Sequence, residues 1–243
     1  EKAAQWSVKQ WERDKPLAIG ELNELKDVES RSEVTDKSKE ANRHLARAGT
    51  ETAAETASET RVIAVASGKG GVGKTNFVLN FSLALRKKGY RVLIWDADFG
   101  FSNLHVLMGK TPEVTLLSLL EQELDIWQTI TKGVEGIEYI SSGQGMSELF
   151  SLTEEKLNHF LAQFMQLRTY TDYLLIDLGA GLSSHSMNVI LAADEMILLT
   201  TPEPTSMTDA YALLKLLATK ERHLHVHLLI NRAKSEREGI EVQ

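Results

Sequence analysis

Nine consecutive residues, Ser67-Gly68-Lys69-Gly70-Gly71-Val72-Gly73-Lys74-Thr75, gather four glycines, two lysines and a threonine. Glycines let the backbone turn so that successive N–H groups converge on one point, and the closing lysine and hydroxyl add a cation and a metal-ligating oxygen. Such a run holds a polyphosphate. Gly68-x-x-x-x-Gly73-Lys74-Thr75 fits the triphosphate pattern, in which the lysine reaches the β and γ phosphates and the threonine ligates Mg2+. Gly68, Gly70 and Gly73 also satisfy the looser dinucleotide pattern G-x-G-x-x-G. Two acidic stations decide between the readings: Asp96 and Asp98 follow one apolar run, and Asp177 follows another. An aspartate after a buried strand is where a triphosphatase keeps its second magnesium-linked carboxylate. A dinucleotide site explains neither Lys74-Thr75 nor Asp177.

These residues need a scaffold, and the surrounding pattern supplies one. Val62 to Ala66 is a continuous, partly β-branched apolar run, the mark of a parallel strand buried on both faces. After the loop, Phe77, Leu79, Phe81, Leu83, Ala84 and Leu85 predict a helix that Lys87-Lys88-Gly89 closes. Such a helix aims its positive end at the loop. Strands are expected at Val92–Trp95, Ile137–Ile140, Tyr173–Ile176, Met196–Leu199 and Val226–Ile230. Helical segments are expected at Leu116–Gln122, Ile126–Thr131, Glu154–Arg168 (with Thr153 as N-cap) and Ser206–Lys220. Strand and helix alternate, so the fold class is α/β, a doubly wound and mostly parallel sheet. In such sheets ligands sit beyond the carboxyl ends of the strands, which turns Asp96, Asp98 and Asp177 toward the loop.

The chain has 243 residues, a net charge of −7 and no cysteine. A disulfide framework, an iron–sulfur cluster and a cysteine nucleophile are thereby excluded. The acidic balance argues against a broadly basic nucleic-acid surface. No apolar run approaches the roughly 20 residues that span a bilayer, and the polar start is unlike a secretory signal, so a cytoplasmic location is expected.

Residues 1–60 differ from the rest and read as an extension, with mixed charges and a low-complexity run from Gly49 to Thr60. Trp6, Val8, Trp11, Leu17, Ile19, Leu22 and Leu25 fit either a docking segment that orders on a partner or a disordered arm with incidental apolar residues. His223, His225 and His227 alternate and would share one strand face, but no carboxylate or fourth ligand accompanies them, so a metal site is not adopted. Residues 61–243 read as the catalytic domain, expected to lack its C-terminal end because such a sheet normally continues with another unit.

Gly68-Lys69-Gly70-Gly71-Val72-Gly73-Lys74-Thr75 resembles the deviant phosphate loop of the ParA/MinD ATPase superfamily, whose hallmark is an additional lysine at the position of Lys69. Asp96-x-Asp98-x-Gly100-x-x-Asn103 resembles its first switch, Asp177-x-x-Ala180-Gly181 its second, and Asn231-Arg232 its adenine-contacting element. Thr201-Pro202-Glu203-Pro204-Thr205-Ser206-Met207-Thr208-Asp209-Ala210-Tyr211 is similar to the flagellar-number regulators of the FlhG, YlxH and FleN branch. The absence of cysteine excludes the cluster-bearing branches. Two features of the flagellar branch lack a counterpart: a clear N-terminal activator motif and a C-terminal amphipathic membrane helix.

The resemblance implies a slow ATPase switch that uses ATP/ADP and Mg2+. Gly68, Lys69, Gly70, Gly71, Val72, Gly73, Lys74, Thr75, Gly181, Asn231 and Arg232 would bind the nucleotide, and Thr75, Asp96 and Asp177 would serve the metal. Lys69, Lys74 and Asp98 would be catalytic, with Asp98 orienting the attacking water and Lys69 reaching across a nucleotide-sandwich homodimer. Implied partners are a flagellar GTPase of the signal-recognition-particle type (FlhF), flagellar C-ring proteins and the inner face of the cell membrane. A MinD-like division-site regulator, a ParA-like DNA segregation ATPase and an ATP-dependent synthetase share these motifs and stay open.

Overall fold

The computed structural model describes residues 60–98, 104–122, 124–143, 162–181, 183–220 and 224–242. Within them lie strands β1 (Arg61–Ala66), β2 (Val92–Ala97), β3 (Thr131–Lys132), β4 (Glu138–Ser141), β5 (Tyr173–Leu178), β6 (Glu195–Thr200) and β7 (His225–Ile230). The helices are α1 (Lys74–Lys87), α2 (Leu104–Met108), α3 (Leu116–Gln122), α4 (Ser184–Ala192), α5 (Pro204–Ala218) and α6 (Glu236–Val242). The strands join in the order β3-β4-β2-β5-β1-β6-β7. Every pairing is parallel except β3 with β4.

Strand periodicity explains the two cores. Ile63 and Val65 of β1 face one side with Ile94, Leu175, Ile197 and Leu199, where α1 supplies Val78, Phe81 and Leu85. Ala64 and Ala66 face the other with Trp95, Ile176 and Leu198, where α4 and α5 supply Met187, Ile190, Leu213 and Leu217. A strand covered on both faces cannot alternate with polar residues, which is why its sequence reads as an unbroken apolar run.

Several boundaries differ from the expectation, each for a physical reason. β2 continues through Asp96, so that carboxylate is part of the sheet and not of the turn beyond it. The helix expected over Ile126–Thr131 is one 3-10 turn, Ile126–Thr129, opened by a capping box between Asp125 and Gln128. Thr131 and Lys132 instead pair with Tyr139 and Glu138. The buried face of α1 is Lys74, Val78, Phe81, Ser82 and Leu85. Helical geometry selects that three-and-four spacing over the alternating Phe77, Leu79 and Leu83. Helix α4, absent from the expectation, starts where the Ser183 hydroxyl accepts from the Ser186 N–H at 3.0 Å.

His225 and His227 do share a face, with ring centroids 4.4 Å apart. His227 Nε2 lies 2.9 Å from Glu195 Oε2, and Arg61 pairs with the same carboxylate. His223, Gly100, Asn103, Thr153 and the extension at 1–59 lie outside the described residues.

Phe81 is 2% exposed whereas Leu83 is only partly covered. Phe81→Ala is therefore expected to cost about 3–5 kcal/mol in urea unfolding, and Leu83→Ala clearly less. Equal losses would contradict the assignment of the helix face.

Candidate functional site

β1 ends in the middle of the sheet, between β5 and β6, and the glycine run turns from it into α1. Gly71 and Gly73 take φ of 75° and 101°, values that a side chain would oppose. Gly73 is the N-cap of α1 and offers no side-chain cap, so the first N–H groups of the helix are left for another acceptor. Gly68 has a different reason to be glycine. A Cβ there would lie 2.4 Å from the carbonyl carbon of Asp209 in α5.

Four of the loop carbonyls accept hydrogen bonds from the protein itself. Gly181 N–H donates to Ser67 O at 3.2 Å, and the Ser67 hydroxyl donates to Lys69 O at 2.7 Å. Arg232 Nη2 donates to Gly71 O at 2.8 Å, and Asn231 Nδ2 donates to Val72 O at 2.8 Å.

Beside the loop lies a group of buried charges. Asp96 and Asp177 are register partners on β2 and β5, and both are buried. Alternation turns them to the α1 side of the sheet, where Thr75 at the start of α1 acts to lower the Asp177 pKa. Carboxylate oxygen Oδ1 of Asp177 is buried without a hydrogen-bond partner. Burial pushes the Asp177 carboxyl up to about 7, with Thr75 and Lys74 pulling the other way. Lys74 is also buried, and its ammonium donates to Ser67 Oγ at 2.9 Å. Desolvation holds its pKa below the usual lysine value, against the pull of Asp177 and Asp98. Asp98 lies just past β2 with its N–H donating to Asp96 Oδ1 at 3.3 Å, and Gly179 on the β5 side packs against its carboxylate.

The orphaned Asp177 oxygen, the neighbouring Asp96 and the Thr75 hydroxyl form an all-oxygen donor set that suits a hard divalent cation. The uncapped helix, the glycines and Lys74 suit polyphosphate oxygens.

Lys69 stands apart from this group. Its ammonium lies 2.9 Å from Glu203 Oε2 and 2.8 Å from Thr205 Oγ1, at the start of α5. Hydrogen bonding to Lys69 holds the Glu203 carboxyl below its ordinary value. The sequence reading singled out neither Ser67 nor Glu203 as a partner of a loop lysine. The Pro-Glu-Pro step before α5 marks a helix start but gives no hint of which side chain the glutamate meets.

A family described as an AAA domain matches residues 60–230. The septum site-determining protein MinD of Pyrococcus horikoshii, solved with Mg-ADP, superposes with a TM-score of 0.58 at 30% identity, covering 73% of each chain. The chain belongs to the ParA/MinD ATPases. It is 37% identical over 179 residues to the antiactivator FleN of Pseudomonas aeruginosa, covering 74% of this chain and 64% of that protein. It is 34% identical over 181 residues to the flagellum site-determining protein YlxH of Helicobacter pylori, covering 74% of this chain and 60% of that protein. The chain therefore spans less than two thirds of either relative.

A buried carboxyl whose pKa is raised on folding opposes folding once it must ionise. For Asp177, with about 7 in the fold against 3.8 in an unfolded chain, stability is lost as pH rises from about 4 to about 7. In protein free of nucleotide and magnesium, Asp177→Asn is expected to exceed the native chain in stability at pH 8, by at most about 4 kcal/mol, with a smaller margin at pH 5. Urea unfolding at the two pH values checks this, and an unchanged margin would show an ordinary carboxyl.

Proposed function

We propose that this chain is an ATP-hydrolysing switch that dimerises on ATP and regulates the number and placement of flagella. The observation that carries the reading is the Asp177 oxygen left without a partner among buried charges, beside an uncapped helix start. A magnesium–triphosphate completes that arrangement. The flagellar role draws its support from the likeness to FleN and YlxH.

In this reading Gly68, Gly70, Gly71, Val72 and Gly73 present backbone N–H groups to the phosphates, with Gly181 tied to the start of the loop. Lys74 exchanges its contact with Ser67 for phosphate oxygens. Thr75, Asp96 and Asp177 hold the metal, directly or through its waters. When bound, Mg2+ neutralises charge on the β and γ phosphates and orders them for in-line displacement. Asp98 accepts a hydrogen bond from the attacking water and so directs it. Asn231 and Arg232 lie at the end of β7 and close the nucleotide site on that side.

Lys69 serves a second copy of the chain. Its ammonium leaves Glu203 and Thr205 and reaches the partner's phosphates, adding positive charge where negative charge develops. Both members of this pair are exposed to solvent, which weakens it, so a polyphosphate is a strong enough competitor to release the lysine. Hydrolysis then removes the bridging contacts, and the dimer dissociates. Dimerisation gates contact with the membrane surface and with flagellar partners, for which a signal-recognition-particle-type GTPase (FlhF) and C-ring proteins are the candidates. No helix among the described residues is long and apolar enough to cross a membrane.

Light scattering with ADP and with ATP tests the switch. The native chain is expected to dimerise with ATP alone, Asp98→Ala to accumulate as ATP-bound dimer, and Lys69→Ala to stay monomeric. A native chain that is monomeric under every condition would refute the reading.

A further inference from the structure

We infer that Arg232, with Asn231 beside it, is a positioning residue of the phosphate loop that acts on the loop backbone and not on the nucleotide base. The inference rests on the triphosphate reading above.

Four loop carbonyls, those of Ser67, Lys69, Gly71 and Val72, accept hydrogen bonds from protein donors. In a planar trans peptide the carbonyl and the following N–H point in opposite directions. Fixing a carbonyl therefore fixes where the next N–H points. The Arg232 guanidinium, 2.8 Å from Gly71 O, turns the Val72 N–H away from itself. The Asn231 amide, 2.8 Å from Val72 O, does the same for the Gly73 N–H. These two N–H groups are consecutive and lie just before α1, where an anion nest forms.

The corner that carries this clamp is built for it. Arg232 has φ of 60°, in the left-handed region that residues other than glycine seldom adopt. Its own N–H donates to Asn231 Oδ1 at 2.9 Å, which holds the turn. Asn231 N–H donates to Thr200 O at 2.8 Å and ties the corner to β6. Over the loop, Asn231 Nδ2 occupies the space that a Cβ on Gly73 would need, 2.7 Å away. Strain in the backbone of Arg232 thus delivers two side chains onto two adjacent loop carbonyls. A residue serving only a base would have no need to reach the loop.

Binding calorimetry on the full chain with Mg2+ decides the matter, with inorganic tripolyphosphate, ATP and GTP as probes. Arg232→Gly suits the left-handed corner and is expected to keep or raise the melting temperature. It is nevertheless expected to weaken tripolyphosphate and ATP by the same factor, about fivefold for one lost hydrogen bond, and to leave the ATP-to-GTP preference unchanged. Arg232→Lys, which keeps a donor, recovers part of the loss. Unchanged tripolyphosphate affinity with weakened ATP, or a shifted ATP-to-GTP preference, would overturn the inference and make Arg232 a base contact. If the native chain binds ATP but not tripolyphosphate, the purine preference decides alone, by the same criterion. A native chain that binds neither ATP nor tripolyphosphate would remove the triphosphate reading itself.

Discussion

Three buried titratable groups, Lys74 at the start of α1 and Asp96 and Asp177 at the carboxyl ends of β2 and β5, set the terms for everything around them. Lys74 has a single hydroxyl as its hydrogen-bond acceptor, and Asp177 has an oxygen with none. Taking such groups out of water is costly unless they are paired and hydrogen bonded. The fold leaves that pairing incomplete and offers instead an uncapped helix start and a backbone loop with its carbonyls turned outward. Charge is concentrated where a charged guest can neutralise it. The parallel sheet makes this possible, because only parallel neighbours bring successive strand ends, and hence Asp96 and Asp177, to one border.

Much of this was legible in the sequence because the signals are local. Glycines at fixed offsets, an unbroken apolar run before them and aspartates just after two further runs report on residues within ten positions of one another. Strand order could be inferred only in class. The clearest error also has a local cause: a capping box beside a two-residue strand looked like a longer helix.

What the sequence could not show is contact across long separations. Lys69 meets Glu203, 134 positions away, and Asn231 meets Val72, 159 positions away. Neither pairing leaves a periodic trace, since each depends on β6 and β7 lying on the same side of β1. Asn231 and Arg232 were legible as members of the site through family likeness alone, and their hold on the loop emerges from the fold. Burial sets the Asp177 carboxyl, and no spacing rule contains it.

The closeness of Gly68 to the backbone of Asp209 makes the two sides of the cradle unlike in clearance. On the α5 side main chain lies against main chain, with no room for a side chain at Gly68. On the β5 side Gly181 has open space where a side chain would be. A side chain at the first position would have to push α5 away, whereas at the second only the positive φ opposes one, so the two glycines are needed for opposite reasons, one for want of room and the other for backbone freedom.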